Sequence, residues 1–136
     1  MISEYYHQVQ YYETDRMQIT HHSNYIRYME EARTDFLDKI DWPFEKLEKS
    51  GITSPVASVN GKYLKPTTFP DKIRIETQVS EVGVAKLILK YQMFHNDELV
   101  FEGISEHGFL DANNRIINLK RKLPEFYKAL QESQED

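Results

Sequence analysis

The sequence predicts an α+β domain in which a curved antiparallel sheet wraps around one long central helix. Three observations carry this. A Tyr-rich extended segment opens the chain, a long amphipathic stretch follows it, and the middle of the chain then runs through strand-like segments separated by turn residues. A helix with one apolar stripe and a sheet with one apolar face both need cover, and wrapping one around the other buries both. With 136 residues, 40% hydrophobic and 12% aromatic, the chain fits a single domain over 1–136, being too short to build two separate cores.

Residues 5–13 are rich in Tyr and include Val9, a composition that suits a first strand. From Asn24 onward Tyr25, Tyr28, Met29, Ala32, Phe36, Leu37 and Ile40 recur at spacings of three and four, which places them on one face of a helix. Ser23 is its expected cap, and Glu30 with Arg33 reads as an exposed ion pair worth a few tenths of a kcal/mol. A short helix is expected from Pro43 to Lys49, with Gly51 ending it. Strands follow at Val56–Lys65, Lys72–Glu81, Val84–His95 and Glu98–Leu110, punctuated by Pro66 to Asp71, Gly83 and Asn96-Asp97. The clean alternation of Lys72-Ile-Arg-Ile-Glu-Thr-Gln-Val predicts one wet and one buried face. After a turn at Asp111-Ala-Asn-Asn come a short strand at Arg115–Asn118 and a closing helix from Leu123. Residues 130–136 should fray, since Gln-Glu-Ser-Gln-Glu-Asp has little to bury.

Charge and composition exclude several functions. A net charge of -5 argues against a nucleic-acid partner, which needs clustered Lys and Arg. The absence of cysteine excludes disulfides, thiolate zinc sites and a cysteine nucleophile. The amino terminus lacks a basic region followed by an apolar run, and no stretch approaches the ~18 apolar residues that span a bilayer. A cytoplasmic protein with no membrane partner is the expectation.

The segment Tyr11-Tyr-Glu-Thr-Asp-Arg-Met-Gln-Ile-Thr-His-His-Ser-Asn-Tyr25 lies between a strand end and a helix start, where side chains and free amides can converge. Asp15 can serve as a general base or a nucleophile. The first amides of the helix, around His22 and Ser23, can stabilise a developing oxyanion. By spacing alone Asp15 reads first as a turn carboxylate, since Asp is common in turns, and the His22 ring equally as a packing or capping group. Asp15 with His21 and His22 does not make a convincing metal site, because adjacent histidines at a helix start seldom converge on one ion, so no metal is expected. Lys120-Arg-Lys122 is a compact basic cluster that reads first as a solvated turn before the last helix and second as a contact for phosphates.

Thr14-Asp15, followed by His22, Asn24-Tyr25 and Glu30-Glu-Ala-Arg33, resembles the signature of the 4-hydroxybenzoyl-CoA thioesterase-like branch of the hotdog-fold acyl-CoA thioesterases. Lys62-Tyr63 with Pro66, Asp71 and Leu123-Pro124 extend the resemblance at lower specificity. It implies the hotdog fold and hydrolysis of acyl-CoA to a carboxylic acid and coenzyme A, with Asp15 as base or nucleophile. The His22 backbone amide is implied to polarise the carbonyl, and Tyr25 and Glu30 to line or support the site. Lys62 falls in a matched segment, and Lys86 corresponds to a position that helps hold coenzyme A; both are expected substrate contacts. The resemblance implies no cofactor, coenzyme A being part of the substrate, and a homodimer or homotetramer. One departure stands out: the family's glycine three residues after the aspartate is Gln18 here, which implies a reshaped loop or a Gln18 contact with the acyl group. Two alternatives stay open, a thioesterase acting on acyl carrier protein and a hotdog protein that binds acyl-CoA without cleaving it. The first is disfavoured by the net charge of -5, since acyl carrier protein is itself acidic.

Overall fold

A computed structural model describes residues 1–134. Strand β1 (Ser3–Gln8) leads through a short 3-10 turn (Tyr11–Glu13) and a loop into helix α1 (Asn24–Lys39). Helix α2 (Phe44–Lys49) precedes strands β2 (Val56–Tyr63), β3 (Lys72–Val82), β4 (Leu87–His95) and β5 (Glu98–His107). Helices α3 (Leu119–Lys122) and α4 (Pro124–Gln134) close the chain. The strands form one antiparallel sheet in the order β1-β3-β4-β5-β2.

The α1 stripe falls where its spacing placed it: Tyr25, Tyr28, Met29, Ala32, Phe36 and Leu37 are buried. They meet alternate residues of the sheet, Ile73, Ile75 and Val79 of β3, Leu87, Leu89, Tyr91 and Met93 of β4, and Phe101 of β5. Arg74, Glu76 and Gln78 between them face outward, as the alternation of Lys72–Val79 required, while Thr77 is buried on the inner face. Backbone chemistry stops each of the first two helices in the same way. Asp41 at φ 67° and Gly51 at φ 77° follow α1 and α2 in the left-handed region. Trp42 N–H then donates to Leu37 O, and Ile52 N–H to Leu47 O, closing paired Schellman caps. The two-residue turn Asn96-Asp97, with φ of 48° and 65°, joins β4 to β5 as a hairpin.

Several elements differ from expectation. β1 ends at Gln8, because Glu13 accepts from the Gln10 amide at 2.8 Å and curls 11–13 into a 3-10 turn. Ser23 does not cap α1 with its side chain; its hydroxyl pairs with His21 Nδ1 at 2.8 Å. Arg33 is buried rather than exposed: Nη1 meets Glu30 at 2.8 Å and Nη2 donates to Ser54 O at 2.6 Å. Residues 115–118 form no strand; only Ile116 bridges Leu110. The tail does not begin to fray at 130, since α4 continues to Gln134 with Leu130 and Ser133 buried. The last two residues lie outside the described ones.

Gly61 and Gly103 pair across β2 and β5, and the Phe101 ring lies over both. A Cβ on Gly61 would stand 2.3 Å from Phe101 Cζ. Gly61→Val is expected to cost roughly 1–3 kcal/mol through this overpacking, read as a lower urea midpoint. An unchanged midpoint would mean that the ring swings aside freely.

Candidate active site

Residues 14–20 fold back on themselves. Thr14 bridges Thr20, Asp15 N–H donates to Ile19 O at 2.9 Å and Gln18 N–H to Asp15 O at 2.9 Å. This is a three-residue hairpin loop whose last loop position needs positive φ, a place that favours glycine. Gln18 occupies it at φ 66°. The departure from glycine therefore leaves the turn in place rather than reshaping it, at the cost of a non-glycine residue in the left-handed region. The loop is strapped to the segment after β2: Thr20 N–H donates to Thr67 O at 2.8 Å, and the Thr68 hydroxyl to Gln18 O at 2.6 Å.

Asp15 sits half-buried in this turn. Its Oδ1 accepts from Met17 N–H at 2.8 Å, which fixes the carboxylate's orientation, while Oδ2 has no partner among the described residues. One open groove of about 390 Å3 is lined by Asp15, Thr20, His22, Tyr25, Tyr63 and Lys65, with Met17, Ile19, Leu64 and Pro66 adding apolar wall. At its edge the neighbouring amides are engaged: His21 N–H donates to Glu13 O and Asn24 N–H to His21 O. The His22 N–H has no acceptor among the described residues. An aromatic floor comes from Tyr25, which stacks on Phe101 at 5.0 Å and meets Tyr63 edge-on at 5.3 Å. The Tyr25 hydroxyl pairs with Thr67 at 2.8 Å, and burial holds its pKa above the ordinary phenol value. The Tyr63 hydroxyl donates to His22 O at 3.1 Å.

Behind the loop lies a network that the sequence did not disclose. Glu13 is buried and accepts from His7 at 2.9 Å, Tyr28 at 2.8 Å and the Gln10 amide. Burial alone would push its carboxyl up, but these hydrogen bonds outweigh it and hold the pKa below the usual carboxylate value. The Glu13 carbonyl receives His21 N–H at 2.8 Å and Asn24 Nδ2 at 3.0 Å, tying the start of the Asp15 loop to the start of α1. His7 and Glu13 are far apart from Tyr28 in sequence, so no local spacing could have announced the cluster.

Among the sequence-stated candidates, Asp15, His22 and Tyr25 share the groove. Gln18 does not line it; it faces a second, outer groove with Tyr11, Arg16 and Phe69, which Asp15 also borders. Lys62 lies on the outer sheet face beside Lys90 and Glu102, and Lys86 lies 3.7 Å from Glu81 and 3.9 Å from Glu106, so neither reaches the groove. Strand alternation could have found this, since Tyr63 on β2 faces inward and its neighbour Lys62 must face out. Glu30 is held by Arg33 away from Asp15. No three His, Asp or Glu side chains converge as metal ligands among the described residues, and no helix there is long and apolar enough to cross a membrane.

Comparison with known proteins places this fold in a family. Residues 9–133 match the thioesterase-like superfamily. The chain is 31% identical over 124 residues to an Aquifex aeolicus protein named as a proposed esterase, covering 91% of this chain and 96% of that one. It is 27% identical over 128 residues to YneP of Bacillus subtilis, named as a proposed acyl-CoA thioesterase, covering 93% of each. The solved structure of a DHNA-CoA thioesterase from Staphylococcus aureus superposes with a TM-score of 0.93 at 30% identity, covering 98% of this chain and 91% of that one. The chain belongs to the thioesterase-like superfamily and is a hotdog-fold thioester hydrolase of the acyl-CoA thioesterase kind.

Proposed function

We propose that the protein hydrolyses acyl-CoA thioesters in the Asp15 groove. The observation that carries this reading is the convergence of an oriented carboxylate with a free oxygen, Asp15 Oδ2, and an amide without an acceptor, His22 N–H, on one groove. The thioester carbonyl oxygen docks on the His22 amide, which gains strength as negative charge develops on that oxygen. Asp15 removes a proton from water, the hydroxide adds to the carbonyl carbon, and the tetrahedral intermediate expels the coenzyme A thiolate as the C–S bond breaks. The thiolate regains the proton from Asp15. In the variant route Asp15 Oδ2 attacks the carbonyl itself, and water then hydrolyses the anhydride. Lys65, rather than Lys62 or Lys86, is the cation at the groove mouth.

We infer that the functional unit is at least a homodimer joined through β2. Every residue of this edge strand is exposed, and Val59 and Tyr63 with Ile26 of α1 present apolar surface beside it. Pairing a second copy here covers that surface and closes the open side of the groove. Val59→Asp is expected to shift the protein toward monomer in sedimentation and to lower activity in step. An unchanged mass would remove β2 as the joint.

Coenzyme A is favoured over acyl carrier protein because no basic cluster lines the groove beyond Lys65 among the described residues. Matched acyl-CoA and acyl-carrier thioesters decide the point. A kcat/KM at least tenfold higher on acyl-CoA is expected, and the reverse preference would overturn the choice.

A further inference from the structure

The network behind the Asp15 loop turns on one side chain with an unusual demand for hydrogens. His7, on the inner face of β1, presents both ring nitrogens to carboxylates. Its Nε2 lies 2.9 Å from Glu13 Oε1 and its Nδ1 2.9 Å from Glu31 Oε1. The ring therefore ties β1 to the 3-10 turn on one side and to α1 on the other.

The neighbours decide how many hydrogens the ring carries. The Tyr28 hydroxyl and the Gln10 amide donate to Glu13 Oε1, and the Tyr5 hydroxyl donates to Glu31 Oε1. Burial first, and then these bonds to carboxylates, hold both phenols above their ordinary value, Tyr5 at about 12, so each keeps its hydrogen. An ionised Glu13 surrounded by donors can only accept, so His7 Nε2 carries a hydrogen. At Nδ1 the facing oxygen belongs to the partly exposed Glu31 carboxylate, which also only accepts. A neutral imidazole has one N–H and would turn a lone pair toward one of these oxygens. Both contacts are made when the ring is an imidazolium, and the Tyr28 ring, 4.1 Å away, offers it an aromatic face. Beyond Tyr5 stand Asp35 and Asp38 of α1, Asp35 paired with Lys39, while β3 turns the uncharged Ile73 and Ile75 inward beside His7.

This cluster holds the peptide that carries the His22 amide. Glu13 O accepts His21 N–H at 2.8 Å and Asn24 Nδ2 at 3.0 Å. His21 O in turn accepts Asn24 N–H at 3.0 Å and Asn24 Nδ2 at 3.3 Å. His21 C=O and His22 N–H belong to one planar trans peptide unit, so turning the carbonyl toward Asn24 sends the N–H the opposite way. The Glu13 backbone thus sets the direction of the His22 amide, and His7 holds the Glu13 side chain. Asp15 follows Glu13 by two residues, so the same tie sets where its loop begins.

We propose that His7 is a positioning residue for thioester hydrolysis: clamped as an imidazolium between Glu13 and Glu31, it fixes the Glu13 carbonyl and through it the aim of the His22 amide. This rests on the Asp15 groove being the thioester site. Loss of the ring's proton sets a lone pair against a carboxylate oxygen and loosens the clamp, so turnover falls as pH rises. The test compares the parent, His7→Gln and Glu31→Gln. In the parent, the midpoint of that fall in kcat should coincide with loss of one imidazole proton in 15N spectra, which at neutral pH show both nitrogens protonated. Glu31→Gln removes the outer negative charge and should move both midpoints to lower pH together. His7→Gln should lack this limb and turn over roughly 10–100-fold more slowly at neutral pH, with KM within about threefold and faster exchange of the His21 amide hydrogen. Melting curves check the fold of each variant; should His7→Gln not fold, the paired midpoints in the parent and in Glu31→Gln decide. Parental kcat in folded His7→Gln, midpoints that do not move together in Glu31→Gln, or a ring with a single N–H at neutral pH would each overturn the proposal. No thiol release from the parent would sink the Asp15 reading instead, and the 15N spectra and His21 exchange would still decide whether the clamp exists.

Discussion

Asp15→Asn is expected to lower kcat for thiol release by roughly 10²–10⁴-fold, the range typical of a lost general base, with little change in fold or in coenzyme A affinity. Asparagine has the same shape and keeps an oxygen to accept the Met17 amide, so the turn that carries residue 15 should hold. What it loses is the charge and basicity of Oδ2, whichever of the two routes the carboxylate takes. The contrast to look for is between turnover and stability. Urea unfolding should stay within about 0.5 kcal/mol of the parent, as for a partly exposed position with its turn intact. Near-parental turnover in a folded variant would remove Asp15 from the chemistry.

A second large effect concerns acid stability. The folded His107 pKa of about 3 lies below the ordinary value of 6.5. Above pH 6.5 the ring is neutral in both folded and unfolded chains and stability does not respond to it. Between 6.5 and 3 the unfolded ring takes up a proton that the folded ring refuses, so stability falls as pH falls, by roughly 3–5 kcal/mol in all. The groups facing the ring are Arg33, which stays cationic, Glu30 paired with it, and the hydroxyls of Tyr91 and Ser105. Glu13, whose pKa is depressed, also loses its stabilising contribution on acidification, but through a lower window, as pH falls past its folded value. Between about pH 6.5 and 4.5 the His107 contribution is read as the part of the slope that His107→Leu removes, the other histidines being common to both proteins. Denaturant unfolding across that range should show a downward slope in the parent protein that flattens in His107→Leu. Equal slopes would mean that the buried ring is not held neutral.

The fold was legible where one local period decided it. Spacings of three and four named the buried face of α1 residue by residue, and the two-residue period of 72–79 named the buried face of β3. It was illegible where distant partners decided. The turn at 11–13 depends on Glu13 reaching back to Gln10 and across to His7 and Tyr28. Arg33 looked like half of an exposed ion pair because its second partner, Ser54 O, lies on a loop far along the chain. The carboxyl-terminal tail looked too polar to order, yet Leu130 and Ser133 pack inward, Ser133 O accepts from the Met1 amino group, and Gln134 donates to Ser80 O. At the site, the run from Thr14 to Arg33 led to Asp15, His22 and Tyr25, which meet in one groove. Gln18 replaced glycine without undoing the turn, because the conformation is set by the hairpin's closure at Asp15 and Ile19.

Thiol release by the parent protein over a panel of short, long and aromatic acyl-CoAs tests thioester hydrolysis at the Asp15 groove most directly. Catalytic, multiple-turnover release of coenzyme A with one equivalent of carboxylic acid from at least one member, abolished in Asp15→Asn, is the predicted result. Tight binding of intact acyl-CoA with no thiol released above the uncatalysed rate would contradict it and leave a binding protein in place of an enzyme.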